Sequence, residues 1–228
     1  MLYRYEVGKR RLEKIWGIHV IPTPNALAGS NFLYEHPEAR AEDLMWAMQD
    51  KKINGIICMM GYDSYRVFPY IDLNVIKNNP KVFMGYSDIT SWMVIFAKAS
   101  IRAYYGSNLF TPIAQPVALD NYTKEAIAKC LFSTEMIGYV SVCAEYTNIE
   151  WRNVGEDEIR WVSNTGYGLV QGSGVVQGRI LGGGAGPLRQ IMGTEIFPSQ
   201  DFLRIVLLCK RLPHRMEVFW LGCMNFEH

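Results

Sequence analysis

The first half of the chain alternates amphipathic stretches with short, continuous apolar runs. Residues 6–15 are polar and helix-prone, and "GIHVIPTP" (17–24) reads as a short extended segment. In "HPEARAEDLMWAMQD" (36–50) Pro37 suits a first helical turn, acids stand at 38, 42 and 43, and Leu44, Met45, Ala47 and Met48 form an apolar stripe. That spacing predicts a helix. "INGIICMM" (53–60) is an apolar run before a Gly-containing turn, the pattern of a buried parallel strand. "YIDLNVIKNN" (70–79) predicts a short helix ended by Asn-Asn-Pro, "KVFMGYS" (81–87) a strand, "DITSWMVIFAKAS" (88–100) a helix and "IRAYYGS" (101–107) a strand. "YTKEAIAKCLF" (122–132) closes this half as a helix, with Thr123 as its expected cap.

Helices separating short apolar strands imply a parallel sheet covered on both faces, a Rossmann- or flavodoxin-like α/β arrangement. Sites in such sheets form outside the carboxyl ends of the strands, where Gly61–Ser64 and Gly85–Asp88 both lie. From about residue 137 the character changes. Strand formers are punctuated by Gly, Asn and acidic turns, and helix signal is scarce until "AGPLRQIMG" (185–193). The expected organisation is an α/β domain over 1–135 followed by a strand-rich, incomplete α+β domain over 136–228. "GGGAG" (182–186) has the composition of a phosphate-binding turn but lacks the Lys-Ser/Thr of a P-loop and the spacing of GxGxxG. It reads as a strand-to-helix turn, with Pro187 at the helix start.

Composition narrows the partners. A net charge of +1 gives no electrostatic footprint for nucleic acid or an anionic membrane. No apolar run reaches the roughly 18 residues that span a bilayer, and the charged N-terminus lacks the apolar core of a secretory signal. The five cysteines make no CxxC pair, which points to a reduced, cytoplasmic setting with thiols packed as small hydrophobes. The four histidines stand apart from Cys or carboxylates at metal-ligand spacing, so neither a metal nor a cofactor is expected.

The chemistry candidate is Ser87, at a strand–helix junction. Such a junction pushes Oγ out of the sheet, points the next backbone N–H toward an oxyanion and adds the positive potential of a helix N-terminus. On the local sequence alone the favoured reading of a serine there is a helix cap, with Asp88 in the first turn. Ile89 occupies the place of the second glycine in a GxSxG elbow, so that motif does not decide between the two readings.

The wider pattern does. "ARAEDL" (39–44), the Gly61–Ser64 turn, "PYIDL" (69–73), "NPKVFMGYSDIT" (79–90), "VVQGRILGG" (175–183) and "GPLRQIMGTEIFP" (186–198) together resemble the LD-carboxypeptidase family of serine peptidases, and within it the microcin C immunity branch. The resemblance implies that Ser87 is the nucleophile, that the Asp88 backbone N–H helps form the oxyanion hole, and that the Gly61 turn offers a second donor. It implies a Ser-His-Glu triad cleaving an amide next to a free carboxylate, or one joining a peptidyl or aminoacyl group to a nucleotide-like toxin. It also implies a homodimer. In the immunity branch, aromatics of the second half stack on the nucleobase, which assigns Trp151 and Trp161, flanking "WRNVGEDEIRW", with Tyr146 as a third candidate. The other reading packs the tryptophans beneath the loop.

Departures from the family set further expectations. Its opening strand is not found before residue 6, and Met60 stands where a glycine is usual, crowding the second donor. Cys209 and Lys210 occupy the place of the acidic pair that supplies the triad glutamate. Neither His214 nor His228 sits in the context of the triad histidine, and Glu217 lies where the match has lapsed. The expectation is a family member cut short at both ends and catalytically impaired, the alternative being a non-catalytic binding remnant for a peptide or nucleotide-like ligand.

Overall fold

The computed structural model describes residues 2–147 and 161–197, together with the strand backbone of 205–210. Helix α1 (Leu2–Trp16) starts earlier than the polar pattern suggests, with Arg4, Tyr5, Val7 and Gly8 buried. Arg4 donates to the carbonyls of Phe110 (3.0 Å) and Ala114 (3.5 Å), and Arg11 to those of Ile113, Gln115 and Val117. These bonds to backbone oxygens hold the helix to the loop before α6. Helices α2 (Ser30–Glu35) and α3 (Pro37–Gln49) follow, the latter with Pro37 in its first turn as the sequence requires. "GIHVIPTP" joins no ladder.

Strands β1 (Gly55–Ile57), β2 (Val82–Gly85) and β3 (Tyr104–Tyr105) form a parallel sheet in the order β1-β2-β3. Between β1 and β2 run a 3₁₀ segment (Ser64–Tyr70) and α4 (Leu73–Asn78), whose cap is Asp72, accepting from the N–H groups of Asn74 and Val75. A 3₁₀ turn (Ser87–Ile89) leads from β2 into α5 (Thr90–Lys98). Helix α6 (Asn121–Leu131) is capped by Asp120, whose Oδ1 accepts the Thr123 N–H at 2.8 Å. Thr123 is therefore not the cap: two good capping residues stand three apart, and the acidic one takes the extended backbone that a cap needs.

Alternation along the strands sorts the core. Phe83 faces α3, α4 and α5, in a cluster with Leu44, Met48, Ile76 and Phe96, where its ring stacks on Phe96 with centroids 4.2 Å apart. Met84 faces the opposite side and packs with Tyr5 and Leu12 of α1 and Ile127 of α6. The sheet is thus covered on both faces, the α/β layering expected of a parallel sheet.

The later part contributes β4 (Glu145–Thr147) paired antiparallel with β5 (Trp161–Ser163), then β6 (Arg179–Gly184), α7 (Ala185–Ile191) and β7 (Ile205–Lys210). Strand β7 lies parallel to β6, with Gly183 opposite Cys209 and Gly184 opposite Lys210. Leu181, Leu188 and Ile191 of the β6–α7 unit close a cluster on Val94 of α5. Among the described residues no helix is long and apolar enough to cross a membrane.

Candidate active site

Ser87 leaves β2 with φ of +61°, a left-handed conformation that costs a non-glycine residue on the order of 1–3 kcal/mol and persists only where the surroundings impose it. The capping reading fails on geometry. Neither the 3₁₀ turn nor α5 has a side-chain cap bond, and the Ser87 hydroxyl makes no hydrogen bond to a described residue. The backbone of Ser87 is instead bonded on both sides. Its N–H donates to Tyr105 Oη at 3.1 Å, and its carbonyl accepts from Thr90 Oγ1 at 2.5 Å. Tyr105 is the last residue of β3, neighbour to β2, so the parallel register brings its phenol to the serine turn. Burial pushes the Tyr105 phenol up, with the Ser87 N–H and the Thr90 hydroxyl working against that shift.

The turn after β1 reaches the same place. A Cβ added at Gly61 would lie 2.8 Å from the Ile89 nitrogen and 2.9 Å from Asp88 Cβ, so the glycine is needed for close backbone approach. The Asp88 carboxylate accepts the Ser64 N–H at 2.7 Å and ties the two turns together, while Trp92 Nε1 donates to the Ser64 carbonyl at 3.0 Å. Arg40 holds the outer side of that turn through the carbonyls of Tyr62 (2.5 Å) and Asp63 (3.4 Å). Burial raises the Asp88 carboxyl above its ordinary value, against the bonds from Ser64. Met60 packs against the cluster of Tyr5, Leu12 and Met84.

The glycine-rich turn from the second half completes the enclosure. Gly184 N–H donates to Thr90 Oγ1 at 2.8 Å. A Cβ at Gly183, whose φ is +146°, would fall 2.5 Å from Thr90 Cγ2, and one at Gly184 would fall 3.2 Å from the Ser87 carbonyl oxygen. "GGGAG" is therefore the β6–α7 turn seated on the serine junction, with Pro187 in the third position of a helix that begins at Ala185. By register, the backbone of Cys209 and Lys210 runs alongside this turn.

Ser87, Asp88 and Gly61 are thus adjacent. Trp161 begins β5 opposite Thr147, with Tyr146 opposite Val162, and both aromatic side chains are exposed on that ribbon rather than packed as a core. Trp151, His214, Glu217 and His228 lie outside the described residues. Neither described histidine contacts Ser87: His36 Nδ1 lies 2.7 Å from Glu38, and His19 faces Glu13 at 3.8 Å. Among the described residues no group of His, Cys, Asp and Glu is assembled that would hold a metal ion. Sequence reasoning missed Tyr105, Thr90 and Asp43. Asp43, inside "ARAEDL", accepts from Thr23 Oγ1 at 2.6 Å and from the Asn25 N–H at 3.0 Å, so it fixes a loop rather than a substrate.

Residues 2–106 match the LD-carboxypeptidase N-terminal domain of the S66 peptidases. A Bacillus subtilis protein named as a carboxypeptidase, YocD, is 29% identical over 85% of this chain and 58% of its own length. The microcin C7 self-immunity protein MccF of Escherichia coli is 30% identical over 70% of this chain and 48% of its own. The chain thus spans about half the length of these curated relatives. The crystal structure of an MccF-like protein from Streptococcus pneumoniae in complex with AMP superposes with a TM-score of 0.81 at 26% identity, covering 92% of this chain and 67% of that one.

Proposed function

We propose, from the premise that residues 2–106 belong to the LD-carboxypeptidase N-terminal domain family, that this chain carries the nucleophile half of a serine amide hydrolase. The observation that carries the reading is the left-handed Ser87, whose hydroxyl is unengaged and whose backbone is bonded on both sides. Its Oγ attacks the amide carbonyl, and the Asp88 and Gly61 backbone N–H groups receive the oxyanion. The serine proton passes to the base that the family's triad histidine would supply, collapse returns it to the departing amine, and water then hydrolyses the acyl-serine.

The substrate is a small peptide cut next to a free carboxylate or a peptidyl- or aminoacyl-nucleotide conjugate. The AMP-bound relative and the immunity protein support the second class. Trp161 or Trp151 supplies an aromatic face on which a base stacks, with Tyr146, on the opposite face of the ribbon from Trp161, as a third candidate, and the working unit is a homodimer. With a thiol and an ammonium at Cys209 and Lys210, where the triad carboxylate is expected, turnover is impaired: oxyanion stabilisation and binding alone leave about 10³–10⁴ over water in serine proteases. Cys209 and Lys210 in that place favour one further reading, retention of the ligand without cleavage.

Incubation with an aminoacyl-sulfamoyl adenosine and with an L,D-linked murein tetrapeptide tests both. Release of amino acid from either one, absent in Ser87→Ala, supports the hydrolase. A thermal shift without release supports the binding reading. Neither release nor shift overturns both.

A further inference from the structure

The bonds on either side of Ser87 have a consequence for the oxyanion donor. The peptide unit is planar and trans, so the Ser87 carbonyl and the Asp88 N–H belong to one rigid plane and point in opposite directions. Fixing the carbonyl therefore aims the N–H. Thr90 Oγ1 fixes it at 2.5 Å, and that hydroxyl is itself held, its oxygen accepting the Gly184 N–H at 2.8 Å and standing within hydrogen-bonding reach of the Tyr105 phenol. Thr90 is fully buried, so no water competes for these bonds. On the other side of the serine, Tyr105 Oη holds the N–H of the preceding peptide unit at 3.1 Å.

We propose that Thr90 and Tyr105 are positioning residues for this site: Thr90 aims the Asp88 N–H at the oxyanion, and Tyr105, by holding the Ser87 N–H, keeps the serine in the left-handed conformation that presents Oγ. The proposal rests on the reading of Ser87 as nucleophile. It also gives the second half of the chain a part in catalysis, since the β6–α7 turn orients the hydroxyl that orients the donor. Gly183 and Gly184 are glycines because the turn must come within contact of Thr90 and Ser87 to do so.

The test separates the maximal rate of covalent labelling by a fluorophosphonate from the apparent affinity for it, using the full chain. Thr90→Val keeps the shape and removes the hydroxyl, Thr90→Ser restores the hydroxyl, and Tyr105→Phe removes only the phenol oxygen. Loss of an oxyanion donor costs about 10²–10³ in rate, and misaiming one is expected to cost about 10–100-fold. Thr90→Val and Tyr105→Phe should therefore lower the maximal labelling rate with affinity unchanged, and Thr90→Ser should recover most of what Thr90→Val loses. The two losses should combine less than additively, because both act on one serine. Unchanged rates in folded Thr90→Val and Tyr105→Phe overturn the proposal. Should the parent chain itself resist labelling, the nucleophile reading falls, and amide hydrogen exchange decides the positioning claim separately. Faster exchange at Ser87 in Tyr105→Phe, with Phe83 and Met84 unaltered, upholds the hold on the serine; unaltered exchange at Ser87 overturns it.

Discussion

The serine junction and the β4–β5 ribbon are both short, irregular and rich in turn residues, yet they are built in opposite ways. At the junction Gly61–Ser64, Ser87–Thr90, Tyr105 and Gly183–Gly184 converge from distant parts of the chain, and Ser64 and Thr90 are at most 1% exposed. The ribbon is two three-residue strands, and the segment after it leaves Tyr167 at 75% and Val170 at 99% exposure. The proposed nucleophile is thus fixed by bonds inside the chain, whereas the proposed stacking surface rests on structure that the chain supports only locally. A reaction centre needs sub-ångström placement and a stacking platform does not, so the two demands fall on regions of different rigidity.

One substitution made in both regions gives the sharpest contrast. Gly183→Ala meets a positive φ and a Thr90 methyl 2.5 Å away, so it should lower stability by about 3 kcal/mol in denaturant melts. Gly172→Ala meets a φ of +91° but open space, and should cost only about 1 kcal/mol. Equal losses break the comparison. Gly61→Ala, whose φ is ordinary but whose Cβ would press on the Asp88–Ile89 backbone, should fall between them at about 2 kcal/mol and slow labelling of Ser87.

Asp88 offers a smaller effect that depends on pH. Its carboxyl is raised by burial, so between the unfolded and folded values the native state holds more proton than the unfolded chain. That contribution is fully present below the unfolded carboxylate range, near 4, and is lost as pH rises through the folded value. Asp88→Asn, which still accepts the Ser64 N–H, should therefore gain stability relative to the parent as pH is raised from about 4 toward neutrality. A constant difference across that range shows that the carboxylate is not strained by burial. The smallest stability change belongs to the ribbon. Trp161→Ala should shift the melt by less than about 0.5 kcal/mol, while weakening binding of an adenosine ligand by about 1–3 kcal/mol in calorimetry. Weakened stability with unchanged binding would make Trp161 a packing residue.

Much of this was legible in the sequence. The period of 81–100 predicted a strand running into a helix, and β2 and α5 follow it closely. Pro37 marked the start of α3 where it stands. What could not be read was handedness and direction at single residues. The left-handed Ser87 depends on Tyr105, Thr90 and Gly184, whose proximity is a product of the whole fold. Locally "GYSDIT" favours a cap because a serine's commonest partner is the backbone just ahead of it, and nothing local reveals that the turn is already held from elsewhere. The same limit holds for Met60, which lies beyond β1 and whose packing against the α1 cluster, beside Met59, no local pattern announces. "GGGAG" shows the converse: it read as a strand-to-helix turn, as the β6–α7 junction is, but nothing local marked Thr90 and Ser87 as the residues it approaches.

The central claim is that the Ser87 junction presents a nucleophile rather than a helix cap. Peptide mapping by mass spectrometry after exposure of the folded chain to a fluorophosphonate tests it most directly. The account predicts a phosphonyl adduct on the peptide containing Ser87, slow to form and absent from Ser87→Ala. An adduct confined to another residue, or a folded chain that stays unmodified, contradicts it.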